Sequence, residues 1–220
     1  MSRKVTLIVI AIAIFLSSSL GFVRPTQADT YPGYYSLAAR QKSNHDYLIT
    51  TRNRDADTTV IAIHGGKIEP GTGEIATAVA RKGGFNLYVF AGIKSSNNGC
   101  LHITSTRFNE PTARKLVARS QKTLAIHGCS GKSHITYIGG QDKELGSKVE
   151  KHLKKAGFKV RKAPAHLDGK ENKNICNRNA SGEGVQLELT WAMRKSLLSG
   201  GENNPDLKRY VESLAEALAE

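Results

Sequence analysis

The sequence predicts a single α/β layered domain built on a mostly parallel sheet. Two observations carry this. Short β-branched or apolar runs alternate with helical patterns along the chain, which is the order that parallel sheets need. Two of those runs, Thr59–Ile63 and Thr123–Ile126, are continuous rather than alternating, as in strands buried on both faces.

The chain has 220 residues, and its start reads as a leader. Ser2-Arg3-Lys4 is a basic n-region, Val5–Leu20 is an apolar h-region, and Thr26-Gln27-Ala28 ends in a small residue. Residues 1–28 are therefore expected to be a secretory signal peptide and residues 29–220 the folded domain. An uncleaved anchor is the alternative, since the h-region is close to the shortest membrane span. After cleavage no stable membrane insertion is expected, and the location is secreted, or extracellular.

The elements follow in order. Tyr35–Arg40 reads as a helical turn and Tyr47–Thr51 as an edge strand. Thr59–Ile63 is a buried strand that stops at His64 and opens into a glycine-rich turn. Thr72 is placed to cap a helix over Gly73–Lys82, which Gly83-Gly84 ends. Asn86–Phe90 and Leu101–Thr104 read as strands. Pro111 opens a helix to about Ser120. Thr123–Ile126, ending at His127, and Thr136–Ile138 read as strands. Lys143–Ala156 is an amphipathic helix with Leu145, Val149 and Leu153 on one face, stopped by Gly157. Phe158–Val160 is a short strand, and Leu167–Ser181 a long polar loop. Val185–Thr190 alternates Val/Leu/Leu with Gln/Glu/Thr. Trp191–Leu198 and Asp206–Ala219 are helices.

The formal charge is +13, or about +10 without Arg3, Lys4 and Arg24. The basic residues are spread along the chain apart from Lys148–Lys162, and RNA-reading signatures are absent. An acidic polymer is thus the expected partner, rather than nucleic acid, and a monomer is expected. Of the three cysteines, Cys129 and Cys176 are the pair expected to meet if a disulfide forms, leaving Cys100 free.

Three strand ends hold the candidate chemistry. His64, Glu69 and His127 offer two imidazoles and a carboxylate, a donor set that suits a catalytic zinc with one position open. Read by spacing alone, each histidine is equally a polar residue meeting solvent at a strand end. Glu188 lies inside an apolar run with Gln186 on its face. It is either the wet face of an edge strand or a carboxylate aimed into a site. Glu74 rivals Glu69, although it also suits the first turn of a helix. His102 either faces the site or lines a strand. His45, His134, His152 and His166 read as surface.

Taken together, Ala62-Ile-His-Gly-Gly-Lys-Ile-Glu-Pro-Gly-Thr-Gly-Glu74, Leu101-His-Ile-Thr-Ser-Thr-Arg-Phe-Asn-Glu-Pro111, Ile126-His-Gly-Cys129, Asn174-Ile-Cys-Asn-Arg178 and Gly184-Val-Gln-Leu-Glu-Leu189 resemble the phage-type poly-γ-glutamate hydrolase family. The resemblance runs from about Tyr31 to Leu198. It implies a zinc carboxypeptidase-like fold, an open mixed sheet with helices on both faces. It also implies hydrolysis of the γ-glutamyl amide bonds of poly-γ-glutamate. His64, Glu69 and His127 would hold Zn2+, and Glu188 would be the general base towards the zinc-activated water. For the substrate carboxylates, arginine is the residue of choice because it grips bidentately. Arg178 is the first candidate, then Arg107, then Arg194. Two other readings stay open: a zinc amidase for other γ-glutamyl or peptidoglycan-type amides, and a non-catalytic polyanion-binding protein of the same fold.

Overall fold

The computed structural model describes residues 29–220. The expected leader and its cleavage point lie outside the described residues. A short helix α1 (Tyr34–Ala38) and strand β1 (Tyr47–Arg52) open the domain. They are followed by β2 (Thr58–Gly66), α2 (Thr72–Gly83), β3 (Asn86–Gly92), α3 (Pro111–Ala118), β4 (Lys122–Cys129) and β5 (Thr136–Gly140). Next come α4 (Lys143–Lys155), β6 (Val160–Lys162), β7 (Val185–Thr190), α5 (Trp191–Leu198) and α6 (Pro205–Ala219).

One seven-stranded sheet runs in the order β1-β3-β2-β4-β7-β5-β6. The central strands β3, β2, β4 and β7 are parallel to one another. β1 joins β3 antiparallel, and β5 joins β7 antiparallel while pairing parallel with β6. The sheet is therefore mixed and mostly parallel, as expected.

Each face of the sheet carries its own core. Val60, Ala62, Leu124, Ile126, Leu187 and Leu189 face one side, where they pack against α2, α4, α5 and α6. Ile61, Ile63, Tyr88, Phe90 and Ala125 face the other, against α1, α3 and the segments around Leu101 and Ile175. Helices thus cover both faces, the longer ones on the first. The basic residues of α4 lie on its outer side, opposite the buried Leu145, Val149 and Leu153. Among the described residues no helix is long and apolar enough to cross a membrane.

Two local expectations fail for identifiable reasons. Leu101–Thr104 is not a strand. Asn98–Leu101 is a 3-10 turn, and the polar groups that follow bond to Asp29 and His64 instead of a neighbouring strand. Thr72 does not cap α2, whose N-cap is Gly71. Its hydroxyl donates instead to the carbonyls of His64 (3.3 Å) and Glu69 (2.9 Å), tying the turn beneath the site. The strand expected at Phe158–Val160 lies slightly later, as β6.

Candidate metal centre

β2, β4 and β7 are adjacent and parallel, so their C-terminal ends share one edge of the sheet, the usual place for a site in open α/β folds. His127 of β4 and Glu188 of β7 are register partners. They stand side by side on the face that also carries Ala125.

His64 reaches the same place by a less direct route. Along β2, Val60 and Ala62 face the α2 side, so plain alternation would send His64 there too. The pairing of β2 with β3 shifts between Ala62 and Gly65: Ala62 opposes Val89 and Gly65 opposes Ala91. One extra β2 residue is accommodated, and such a bulge re-aims the side chains near it. His64 consequently lies against Ile103 and His127, on the second face.

The turn after β2 then folds back. Gly66 has φ +62°, and a Cβ there would lie 2.4 Å from the Gly92 carbonyl oxygen, so only glycine fits. The Glu69 amide donates to the His64 carbonyl at 2.9 Å. This brings Glu69 Oε1 to 3.0 Å from His64 Nδ1, while Oε2 accepts the Gly128 amide at 2.7 Å and lies 3.8 Å from His127 Nδ1. The two Nδ1 atoms are 3.2 Å apart. One donor atom from each of His64, Glu69 and His127 falls within 4.8 Å of the others.

The tautomer of His64 is fixed by its surroundings. Its Nε2 lies 2.9 Å from the Ile103 carbonyl, which can only accept, so Nε2 carries the proton. In the neutral ring Nδ1 is then a bare lone pair, turned towards a carboxylate and a second imidazole nitrogen. Such an arrangement calls for a positive centre among the three groups. The chemistry of the set, two imidazoles and one carboxylate in a buried pocket, fits zinc.

Electrostatics agree with the geometry. Burial opposes the charged form of His64, yet the Glu69 carboxylate and the hydrogen bonds to Glu69 and Ile103 raise its pKa overall. Burial and the neighbouring His64 and His102 push His127 down to about 3, against the pull of Glu69. Glu69 resists burial because His64, His127 and the Gly128 amide hold its pKa at about 2. Glu188, 6% exposed, goes the other way. Burial and the Glu69 carboxylate raise it well above the usual carboxylate range, opposed by Gln186 and Arg194. Its orientation is set by a short line of amides. Asn174 Nδ2 donates to Gln186 Oε1 (2.8 Å), which turns Gln186 Nε2 towards Glu188 Oε1 (3.1 Å) and the Leu167 carbonyl (3.2 Å).

Glu74, the rival carboxylate, is exposed in the first turn of α2 and outside the cluster. His102 does belong to the site: its ring stacks on His64 at 4.0 Å between centroids. Burial and His64 lower its pKa.

The arginines divide. Arg107 is exposed on the turn that follows Ile103 and Thr104, where its amide donates to the Thr104 carbonyl. Arg178 is exposed, and the main chain around it runs towards the start of β4. Its neighbours Asn179 and Ala180 bond to the Gln121 and Ser120 carbonyls, at the start of β4, and His127 lies five residues along that strand, roughly 16 Å away. Arg194 is near the site but buried and already committed. Its Nε, Nη1 and Nη2 donate to the carbonyls of Leu189, Pro70 and Cys129, and it packs 5.4 Å from the Trp191 ring centroid. It clamps the ends of β7 and β4 to the turn that carries Glu69, with a donor spent on each of three carbonyls.

The expected disulfide is absent, and all three cysteines are free. Cys129 ends β4, whereas the Cys176 carbonyl packs against Gly184 beside Thr123, at the opposite end of that strand. About six strand residues, roughly 20 Å, separate them, far beyond disulfide reach. Burial pushes both thiols up to about 12, with Glu188 adding to the effect at Cys129.

Three participants were not among the expected site residues. The Ile103 carbonyl is backbone. Asn174 opens one of the motif stretches, Asn174–Arg178, but carried no role there. Asp29 sits where the leader was expected to end, yet its carboxylate accepts from His102 Nδ1 (2.9 Å) and the Thr104 amide (2.8 Å).

Comparison with known proteins converges on one family. The family model described as poly-gamma-glutamate hydrolase matches residues 31–216. The SPbeta prophage-derived UPF0714 protein YoqZ of Bacillus subtilis (strain 168) is 33% identical over 194 residues, covering 86% of this chain and 70% of that protein. A solved bacteriophage poly-gamma-glutamate hydrolase superposes with a TM-score of 0.83 at 30% identity, over 87% of this chain and 97% of that one. A zinc-free apo structure of YndL gives 0.79 at 29% identity, over 88% and 98%. With a matching model over nearly all of the described residues and the same fold in the phage enzyme, the chain belongs to the poly-gamma-glutamate hydrolase family.

Proposed function

We propose that this protein is a secreted, zinc-dependent hydrolase of the γ-glutamyl amide bonds of poly-γ-glutamate. The observation that carries the reading is the meeting of His64 Nδ1, Glu69 and His127 Nδ1 at one point, with Glu188 on the adjoining strand.

His64, Glu69 and His127 would hold the metal, leaving a position open. When bound, a zinc ion supplies Lewis-acid polarisation of the scissile carbonyl and acidifies water. Glu188 does the proton work. Gln186 holds Oε1, which leaves Oε2 to take a proton from the attacking water as its oxygen bonds to the γ-carbonyl carbon. Burial makes Glu188 more basic than a free carboxylate, while the Gln186 amide favours the ionised form that must be present before attack. Glu188 then passes the proton to the amide nitrogen as the C–N bond breaks. The products are a free γ-carboxylate and an α-amine.

Arg107 is the arginine with the freedom to grip the α-carboxylates that line such a polymer. The net charge, about +10 without the leader, suits a polyanion, since a basic surface raises its local concentration at low salt. The N-terminal leader pattern suits a substrate outside the cell.

The test is a gel of high-molecular-weight poly-γ-glutamate. Zinc-loaded protein should shorten the polymer, a chelator should stop this, and added zinc should restore it. Full-length polymer after prolonged incubation with zinc-loaded protein would overturn the substrate assignment.

A further inference from the structure

Asp29 lies just before α1, and its carboxylate reaches the histidine side of the site. The side chain is 1% exposed, on a segment with no regular structure. A carboxylate withdrawn from water is costly unless its oxygens are engaged. Here Oδ1 takes the His102 Nδ1 proton at 2.9 Å and Oδ2 the Thr104 amide at 2.8 Å. Between those two residues stands Ile103, whose carbonyl accepts the Nε2 proton of His64 at 2.9 Å. Asp29 therefore grips both flanks of the residue that sets the tautomer of a metal-binding histidine.

The same grip orients His102. Its Nδ1 is donated inward to Asp29, so the free Nε2 belongs to the part of the ring that is not anchored. The ring lies on His64 at 4.0 Å, and the side chain is 34% exposed. It is a bare hydrogen-bond acceptor at the rim of the site. Poly-γ-glutamate at neutral pH offers such an acceptor only its amide N–H groups, because its carboxylates are ionised and cannot donate.

We propose that Asp29 is a positioning residue of the metal centre: it holds His102 and Thr104 so that the Ile103 carbonyl fixes His64 and His102 Nε2 faces the polymer backbone. This rests on the zinc-hydrolase reading above. If the expected leader is cleaved after Ala28, Asp29 is the terminal residue of the processed chain.

The experiment compares processed wild type with Asp29→Ala and Asp29→Asn. The two readouts are zinc affinity, by competition with a chelator, and the His102 tautomer, by nitrogen-15 NMR of the imidazoles. Asp29→Ala is expected to weaken zinc binding about 10-fold, the low end for outer-shell partners, and to abolish the single Nδ1–H tautomer of His102. Asparagine has one acceptor oxygen. In Asp29→Asn it serves Thr104 while its amide donates to His102 Nδ1, which inverts the tautomer and retains the fold. Unchanged zinc affinity together with an unchanged His102 tautomer in both variants would overturn the proposal. If wild type itself bound no zinc, the zinc-hydrolase reading would fail. The tautomer comparison, made on the same metal-free samples, would still decide the role of Asp29 towards His102.

Discussion

The Nδ1 atoms of His64 and His127 lie 3.2 Å apart, and Glu69 Oε1 approaches the first of them at 3.0 Å. Two imidazole nitrogens and a carboxylate in a buried pocket form a donor set that suits a zinc ion. Purified protein is therefore expected to carry one zinc per chain by metal analysis. His64→Ala and Glu69→Gln should each bring that content close to zero, whereas Glu74→Gln should leave it unchanged.

Zinc should also stabilise the fold. A ligand that binds only the native state at 100 times its Kd contributes about 2.7 kcal/mol. Thermal melts with and without added zinc should show a clear rise in Tm for wild type. Glu69→Gln should show none, and an equal rise in that variant would mean that zinc binds elsewhere.

Glu188→Gln is isosteric and keeps the contact with Gln186. It removes the group that moves the proton, a contribution of about 100- to 10,000-fold in rate. The variant should retain wild-type zinc content and polymer binding while kcat falls by that order. A rate within a few-fold of wild type would move the base role to another residue. Gln186→Leu should act more mildly. It releases Glu188 Oε1 and leaves Asn174 Nδ2 without its partner, costing about 1–3 kcal/mol of stability. Zinc content should hold while kcat drops, which single-turnover rates on zinc-loaded protein would read.

How much of this site the sequence showed depends on which physical signal each residue leaves. His127 and Glu188 drew attention as polar residues ending or interrupting apolar runs, and the family resemblance suggested their roles; the pairing that sets them side by side comes from the fold. Glu69 emerged from a glycine-rich turn next to a histidine. The path of His64 did not, since one-residue bulges arise from pairing between strands and leave no pattern within either one. The arginines were ranked by charge and proximity to motifs alone. Whether a guanidinium is free or spent depends on carbonyls from three separate segments, here Leu189, Pro70 and Cys129, which only the fold assembles. Likewise Cys129 and Cys176 both flank motif stretches, but they end up at opposite ends of β4.

That distinction between the arginines gives the last test. Arg107 is exposed on its turn, so Arg107→Ala should leave the unfolding free energy within the range usual for surface substitutions, about ±0.5 kcal/mol. Its effect should fall on substrate: KM for the polymer should rise several-fold, and the loss should shrink as salt screens the wild-type interaction. Arg194→Ala should do the reverse. It strips three carbonyls of a buried donor and empties the space that packs against Gly128 and Gly71. A cost of about 2–4 kcal/mol is expected from lost charge-assisted hydrogen bonds and packing. Because Arg194 ties the Glu69 turn to β4 and β7, zinc affinity should weaken along with stability. Melting curves and zinc competition on both variants separate the two roles. A stable Arg194→Ala protein with only a raised KM would return Arg194 to the substrate side of the site.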